Sequence, residues 1–128
     1  MHYVLIGIGG SAGAALRYIV SIIFHEHQTI IFPFATLTVN LLGCFILGLL
    51  SSGLEQKIKM KQEYLSAIKT GVIGSFTTFS SFSVETVQLL QHDYYFRAFV
   101  YFIISGFFGL ALAALGMIIG KYLWRGRN

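Results

Sequence analysis

The sequence predicts an all-α membrane protein of four transmembrane helices, with the third helix broken near its middle. Three observations lead there. The 128 residues are 55% hydrophobic and 11% charged, whereas a soluble domain carries about a quarter charged residues. Four apolar stretches each reach the ~20 residues that a helix needs to cross a bilayer core. One further stretch, GSFTTFSSFS at residues 74–83, places six hydroxyls and three phenylalanines behind a glycine inside an otherwise apolar span.

The spans follow from the apolar runs. The first extends from about Tyr3 to Phe24, the second from about Ile30 to Leu54, the third from about Tyr64 to Leu90 and the fourth from about Tyr95 to Leu123. The connections HEHQT, EQKIKMKQE and QHDY are short, so successive spans run antiparallel. Residues 1–128 then form a single four-helix transmembrane unit with no room for a soluble domain. The N-terminus lacks a basic leader, and Arg17 interrupts the first apolar run. It is expected to stay as a helix and not to be removed as a signal peptide. Tyr3, Tyr18, Tyr64, Tyr94, Tyr95, Tyr122 and Trp124 fall near span ends, as an interfacial aromatic belt does. Gly9 and Gly13, and Gly116 and Gly120, carry the four-residue spacing that lets membrane helices approach closely.

The formal net charge of +4 suits contact with anionic lipid head groups. The basic residues flank the membrane, which gives no footprint for nucleic acid. Lys57, Lys59, Lys61, Lys69, Lys121, Arg125 and Arg127 share one side, against Arg97 and Arg17 on the other. The positive-inside rule then puts both termini in the cytoplasm. Cys44 is the one cysteine, so no disulfide framework exists. His25 and His27 read as interfacial histidines and not as metal ligands. No nucleophile–base pair is visible, and the protein is not expected to be an enzyme.

Several polar groups lie deep in the spans: Arg17, Asn40, Glu85, Tyr101, Ser105 and the hydroxyl run. Such groups need a partner, a bundle interior or an aqueous cavity, and so short a chain is expected to supply these by oligomerising. Gly71 and Gly74 precede Thr77 and Thr78, a combination that breaks a helix and caps the freed backbone with hydroxyls. The freed carbonyls make a candidate cation site, with Gly74 expected to let the backbone turn them. Phe76, Phe79 and Phe82 recur every three residues and are expected to share one face, flanked by Thr77, Ser80, Ser81 and Ser83. A phenyl ring is positive at its edge. Phenylalanine edges beside hydroxyl donors therefore offer an anion weak, sequential contacts, as conduction requires. Asn40 adds an amide donor, and Arg17 a cation at a vestibule. The residues alone thus give an anion path and a candidate carbonyl cation site, without naming the ion. Two other readings remain at this level: a small proton-coupled exporter using Glu85, and a non-transporting membrane subunit whose polar run serves only helix association.

Three ordered stretches narrow the choice. GGSAGAALRY at 9–18, FATLTVNLLGCFILG at 34–48 and GVIGSFTTFSSFSVE at 71–85 resemble the signatures of the Fluc (CrcB) family of small bacterial fluoride channels. The resemblance covers nearly the whole chain. It implies a fluoride-selective channel of the cell membrane that exports fluoride down its gradient and lowers its toxicity. It implies an antiparallel, dual-topology dimer, formed with itself or with an oppositely inserted homologue, with two fluoride pathways at the interface. It also implies a structural sodium ion held by the backbone carbonyls of Gly74 and Thr77. By the same resemblance Asn40, Phe79 and Phe82 line the pore and Tyr101 supports that lining. Ser81 stands where the family commonly has threonine, with Ser80 beside it. Arg17 and Glu85 match the family's first-helix arginine and motif-closing acid.

Overall fold

The computed structural model describes residues 1–24, 32–52 and 60–125, and within these the chain is helical. Helix α1 is His2–Ile23 and α2 is Phe34–Ser51. The third span starts as α3 (Gln62–Ser66), widens into a π-helix, π1 (Ala67–Ile73), and closes with one α-turn, α4 (Gly74–Phe76). After a break at Thr77 and Thr78 it resumes as α5 (Phe79–Gln91), and α6 (Tyr95–Arg125) follows. The expected start of the second span near Ile30 and its end near Leu54 lie outside the described residues, as do His25, His27, Lys57, Lys59 and Arg127. Where the chain is described, Pro33 caps α2.

Three helices, His2–Ile23, Phe34–Ser51 and Tyr95–Leu123, are long and apolar enough to cross a membrane. This makes the chain a multi-pass membrane protein. The broken third span does not count among them, because neither half is long enough alone. Large apolar side chains such as Ile8, Ile19, Phe99, Phe107, Leu110 and Ile118 are exposed, which is the arrangement expected when lipid, not water, meets the outer surface.

Glycine seams set how the helices pair. A Cβ on Gly9 would stand 2.6 Å from the Ala67 carbonyl oxygen, and one on Gly71 2.7 Å from that of Ile6. A Cβ on Gly13 would overlap the Val72 carbonyl. These contacts join α1 to π1 backbone to backbone. A second seam joins α2 to α6: a Cβ on Gly48 would strike the Ala113 carbonyl, on Gly116 the Phe45 carbonyl, and on Gly120 Ser52. These are the two most extensive helix pairs of the fold. Leu89, Ala98 and Tyr101 form a buried cluster with Phe32, Leu37 and Phe82 packed against it.

The turn from α5 to α6 closes α5 with a Schellman motif. The Tyr94 N–H donates to Leu89 O at 2.9 Å and the Asp93 N–H to Leu90 O at 3.1 Å. Asp93 takes the left-handed conformation, φ 61°, where glycine is usual, and its carboxylate accepts from the Tyr95 hydroxyl at 2.9 Å. The Arg97 guanidinium lies over the Tyr94 ring, 4.5 Å from its centroid.

Candidate functional site at a helix break

The break is two extended residues, Thr77 at φ −76°, ψ 152° and Thr78 at φ −149°, ψ 123°. Side chains take over the backbone groups that this leaves. The Thr77 hydroxyl and amide both donate to Ile73 O, each at 3.0 Å. The Thr78 N–H donates to Asn40 Oδ1 at 2.8 Å, while Asn40 Nδ2 donates to Thr78 O at 3.0 Å. The amide of Asn40 thus clamps both polar groups of one residue in α2's neighbour. Thr78 is buried and is the N-cap of α5, its Oγ1 accepting from the Ser81 N–H at 3.2 Å. The Ser80 and Ser81 hydroxyls cluster on that same oxygen, at 3.1 and 3.3 Å. From sequence, Thr77 and Thr78 together mark a break whose hydroxyls cap freed backbone; which of the two caps α5 is not distinguished there. The signal for Thr78 was a hydroxyl three residues before Ser81, the spacing of an N-cap.

A groove of about 440 Å³ opens beside the break, lined by Asn40, Gly43, Cys44, Leu47, Thr77, Thr78, Phe79, Phe82, Phe102, Ser105 and Gly106. Its lining carries no charged residue. Asn40 spends one of its two N–H donors on Thr78 and keeps the second. Among the described residues the Ser105 hydroxyl oxygen is buried without a hydrogen-bond partner. Phe79 is 79% exposed, and its ring centroid lies 5.9 Å from that of Phe82. Phe82 also meets Tyr101 at 5.0 Å and Phe102 at 6.1 Å.

Phe76 does not join this face. The expected stack of Phe76, Phe79 and Phe82 fails because the extended pair 77–78 interrupts the helical phase. Phe76 instead lies near Gly43 of α2. The expected role of Gly74 also changes. It has helical angles, φ −62° and ψ −31°, which any residue adopts, and a Cβ there would meet only the Lys69 carbonyl oxygen, at 3.8 Å. The turn at the break belongs to Thr77 and Thr78. Gly74→Ala is therefore expected to leave the chain's own fold intact, with a stability change between zero and a gain of about 1 kcal/mol. Thermal melts followed by circular dichroism check this; a clear loss would show a contact to Gly74 from outside the chain.

Behind the groove a carboxylate links three helices. Glu85 Oε1 accepts from the Thr36 hydroxyl at 2.7 Å, and Oε2 from the Tyr101 hydroxyl at 2.8 Å. Tyr101 is fully buried, so its ring buttresses Phe82 while its hydroxyl holds Glu85. Thr36 was not singled out from sequence. Its partner lies 49 positions on, a separation that no local pattern reveals. Arg17 is half-buried on α1 and is not part of the groove lining, nor are Ser80, Ser81, Glu85 and Tyr101. Among the described residues no group of three or more His, Cys, Asp or Glu side chains comes together.

The comparisons with known proteins agree with one another. Residues 4–117 match the model of the family described as CrcB-like protein, Camphor Resistance (CrcB). A protein of Bacillus cereus called fluoride-specific ion channel FluC 1 is 44% identical over 121 residues, covering 94% of this chain and 88% of that protein. A protein of Desulfitobacterium hafniense with the same name is 45% identical over 109 residues, covering 85% of this chain and 94% of that one. The fluoride-specific ion channel FluC of Acidobacterium capsulatum is 37% identical over 121 residues, covering 94% and 97%.

Proposed function

From the premise that the chain belongs to the CrcB family, we propose that it is a fluoride-selective channel that lets fluoride leave the cell down its electrochemical gradient. It is a transport protein and not an enzyme. The observation that carries this reading is the groove: an uncharged path beside a helix break, bordered by phenylalanine rings, an amide and a buried unpaired hydroxyl. Fluoride is small and strongly hydrated, so donors must replace its water one at a time. The second N–H of Asn40 and the Ser105 hydroxyl offer such donors, and the rings of Phe79 and Phe82 offer positive edges. None is a fixed cation, so the ion is not trapped. The Ser80 and Ser81 hydroxyls hold the cap of α5 and thereby the first of these rings. Tyr101 holds the second, and Glu85, engaged by Thr36 and Tyr101, ties that support to α2. Arg17, on α1 and outside the groove lining, is on this reading the cation that draws anions toward a vestibule.

The groove is open in a single subunit. A second, antiparallel copy or an oppositely inserted homologue would close it and give two pathways at the interface. The bias of basic residues toward one side favours a fixed orientation in the cell membrane and hence a partner of opposite insertion. The central sodium ion of this reading fits the residues present. The break offers backbone and hydroxyl oxygens, the hard ligands a sodium ion takes, as cation sites at interrupted membrane helices do. The carbonyls of Gly74 and Thr77 would hold it. Bound there, sodium would supply a positive charge that gathers the carbonyls of two subunits.

Purified chain in liposomes tests the function. Fluoride loss read with a fluoride electrode is expected, with no chloride loss from matched vesicles. Equal loss of both ions would overturn the selectivity. If neither ion leaves, co-expression with an oppositely oriented homologue should restore fluoride loss; continued silence would overturn the channel reading.

A further inference from the structure

In an unbroken α-helix each carbonyl accepts from the amide four residues on. The partner of the Gly74 carbonyl would be the Thr78 N–H, and that of the Thr77 carbonyl the Ser81 N–H. Both amides are bonded elsewhere. The Thr78 N–H goes to Asn40 Oδ1 at 2.8 Å, and the Ser81 N–H to Thr78 Oγ1 at 3.2 Å. These two diversions take from the Gly74 and Thr77 carbonyls, the two that the sodium reading requires, the amides an unbroken helix would give them.

We propose that Asn40 and Thr78 are positioning residues for the cation, each supplying a side-chain acceptor that keeps one amide away from one carbonyl. The inference rests on the sodium reading above and deepens it. Asn40 holds Thr78 from both ends of its backbone, since Nδ2 also donates to Thr78 O at 3.0 Å. The orientation of the break is thereby fixed from α2. Thr78, in turn, is fixed by Asn40 while it caps α5, so the two diversions form one chain of bonds. A buried amide turns to another acceptor when its own is lost, because leaving it unpaired costs about 1–3 kcal/mol. Without Asn40 the Thr78 N–H would return to Gly74, and without the Thr78 hydroxyl the Ser81 N–H would return to Thr77. The cation would lose one ligand in each case.

Thr77–Thr78 is the one Thr–Thr pair in the sequence, so labelling threonine with carbonyl ¹³C and amide ¹⁵N isolates this single peptide. In purified protein, replacing sodium by N-methylglucamine is expected to shift the Thr77 carbonyl resonance and to lower the melting temperature. In Asn40→Leu and Thr78→Val the sodium concentration giving half of that thermal protection should rise by about tenfold or more. Thr78→Ser, which keeps the hydroxyl, should match the parent. Parent-like sodium midpoints in both Asn40→Leu and Thr78→Val would overturn the proposal. Should those variants not fold, hydrogen exchange of the parent's Thr78 amide decides. Slow exchange with and without sodium is expected, because the acceptor is a side chain; fast exchange without sodium would overturn it. A parent indifferent to sodium in every readout would overturn the sodium reading itself and this inference with it, while leaving fluoride efflux as a separate result.

Discussion

Phe82→Ile is expected to cut fluoride flux by about ten- to a hundredfold, the size of effect that follows when an interaction of roughly 1–3 kcal/mol is lost along the path. Isoleucine keeps the apolar character but has no positive ring edge. Phe82 sits at the centre of the aromatic group, 5.0 Å from Tyr101, 5.9 Å from Phe79 and 6.1 Å from Phe102 by ring centroid. Its replacement also loosens packing, at a cost of roughly 1–2 kcal/mol. Phe79→Ile separates the two effects. That ring is 79% exposed in the chain, so its loss should reduce flux with little change in the stability of the subunit. Efflux from liposomes, beside size-exclusion profiles, measures both. Full flux in both variants would place the anion on another face.

Gly13→Val is expected to abolish a stable fold. The added Cβ would overlap the Val72 carbonyl and crowd the Phe76 amide, and backbone atoms cannot move aside as a side-chain end can. Overpacking typically costs about 1–3 kcal/mol, occasionally more; here the clash falls on the seam that joins α1 to π1, and the upper end is expected. Gly7→Val on the same helix is the control, because nothing lies within 4 Å of its Cβ position. The yield of monodisperse protein and thermal melts of the pair measure the difference. A well-folded Gly13→Val protein would mean that this seam gives way without cost.

The same glycines show what sequence can carry. The close approach at Gly9, Gly13, Gly116 and Gly120 was legible because small residues at helical spacing have few other uses in a bilayer. The break was legible for a related reason: glycines and consecutive hydroxyls in an apolar span point to freed backbone. The residue that caps the break was not. Thr77 and Thr78 are chemically identical neighbours, and only the fold gives one to Ile73 and the other to Asn40 and Ser81. The partner of Asn40 lies 38 positions away and that of Thr36 lies 49 positions away, beyond any periodicity. The π-helix left no mark either, since its widening comes from how the backbone packs on α1 and not from residue type. Phe76 was misplaced because helical spacing was carried across two residues that are not helical.

The pairing of helices has a consequence for how the protein is made. Chains emerge N-terminus first, yet α2 is matched by its glycine seam to α6, the last helix described. The groove draws on both, with Asn40 from α2 and Phe102 and Ser105 from α6. Until α6 is in the bilayer, α2 has no backbone to receive Gly48, and the groove lacks one of its walls. A chain cut short within its final span would lack both the backbone that receives Gly48 and the α6 wall of the groove, so seam and groove are completed in the same step, when α6 is made.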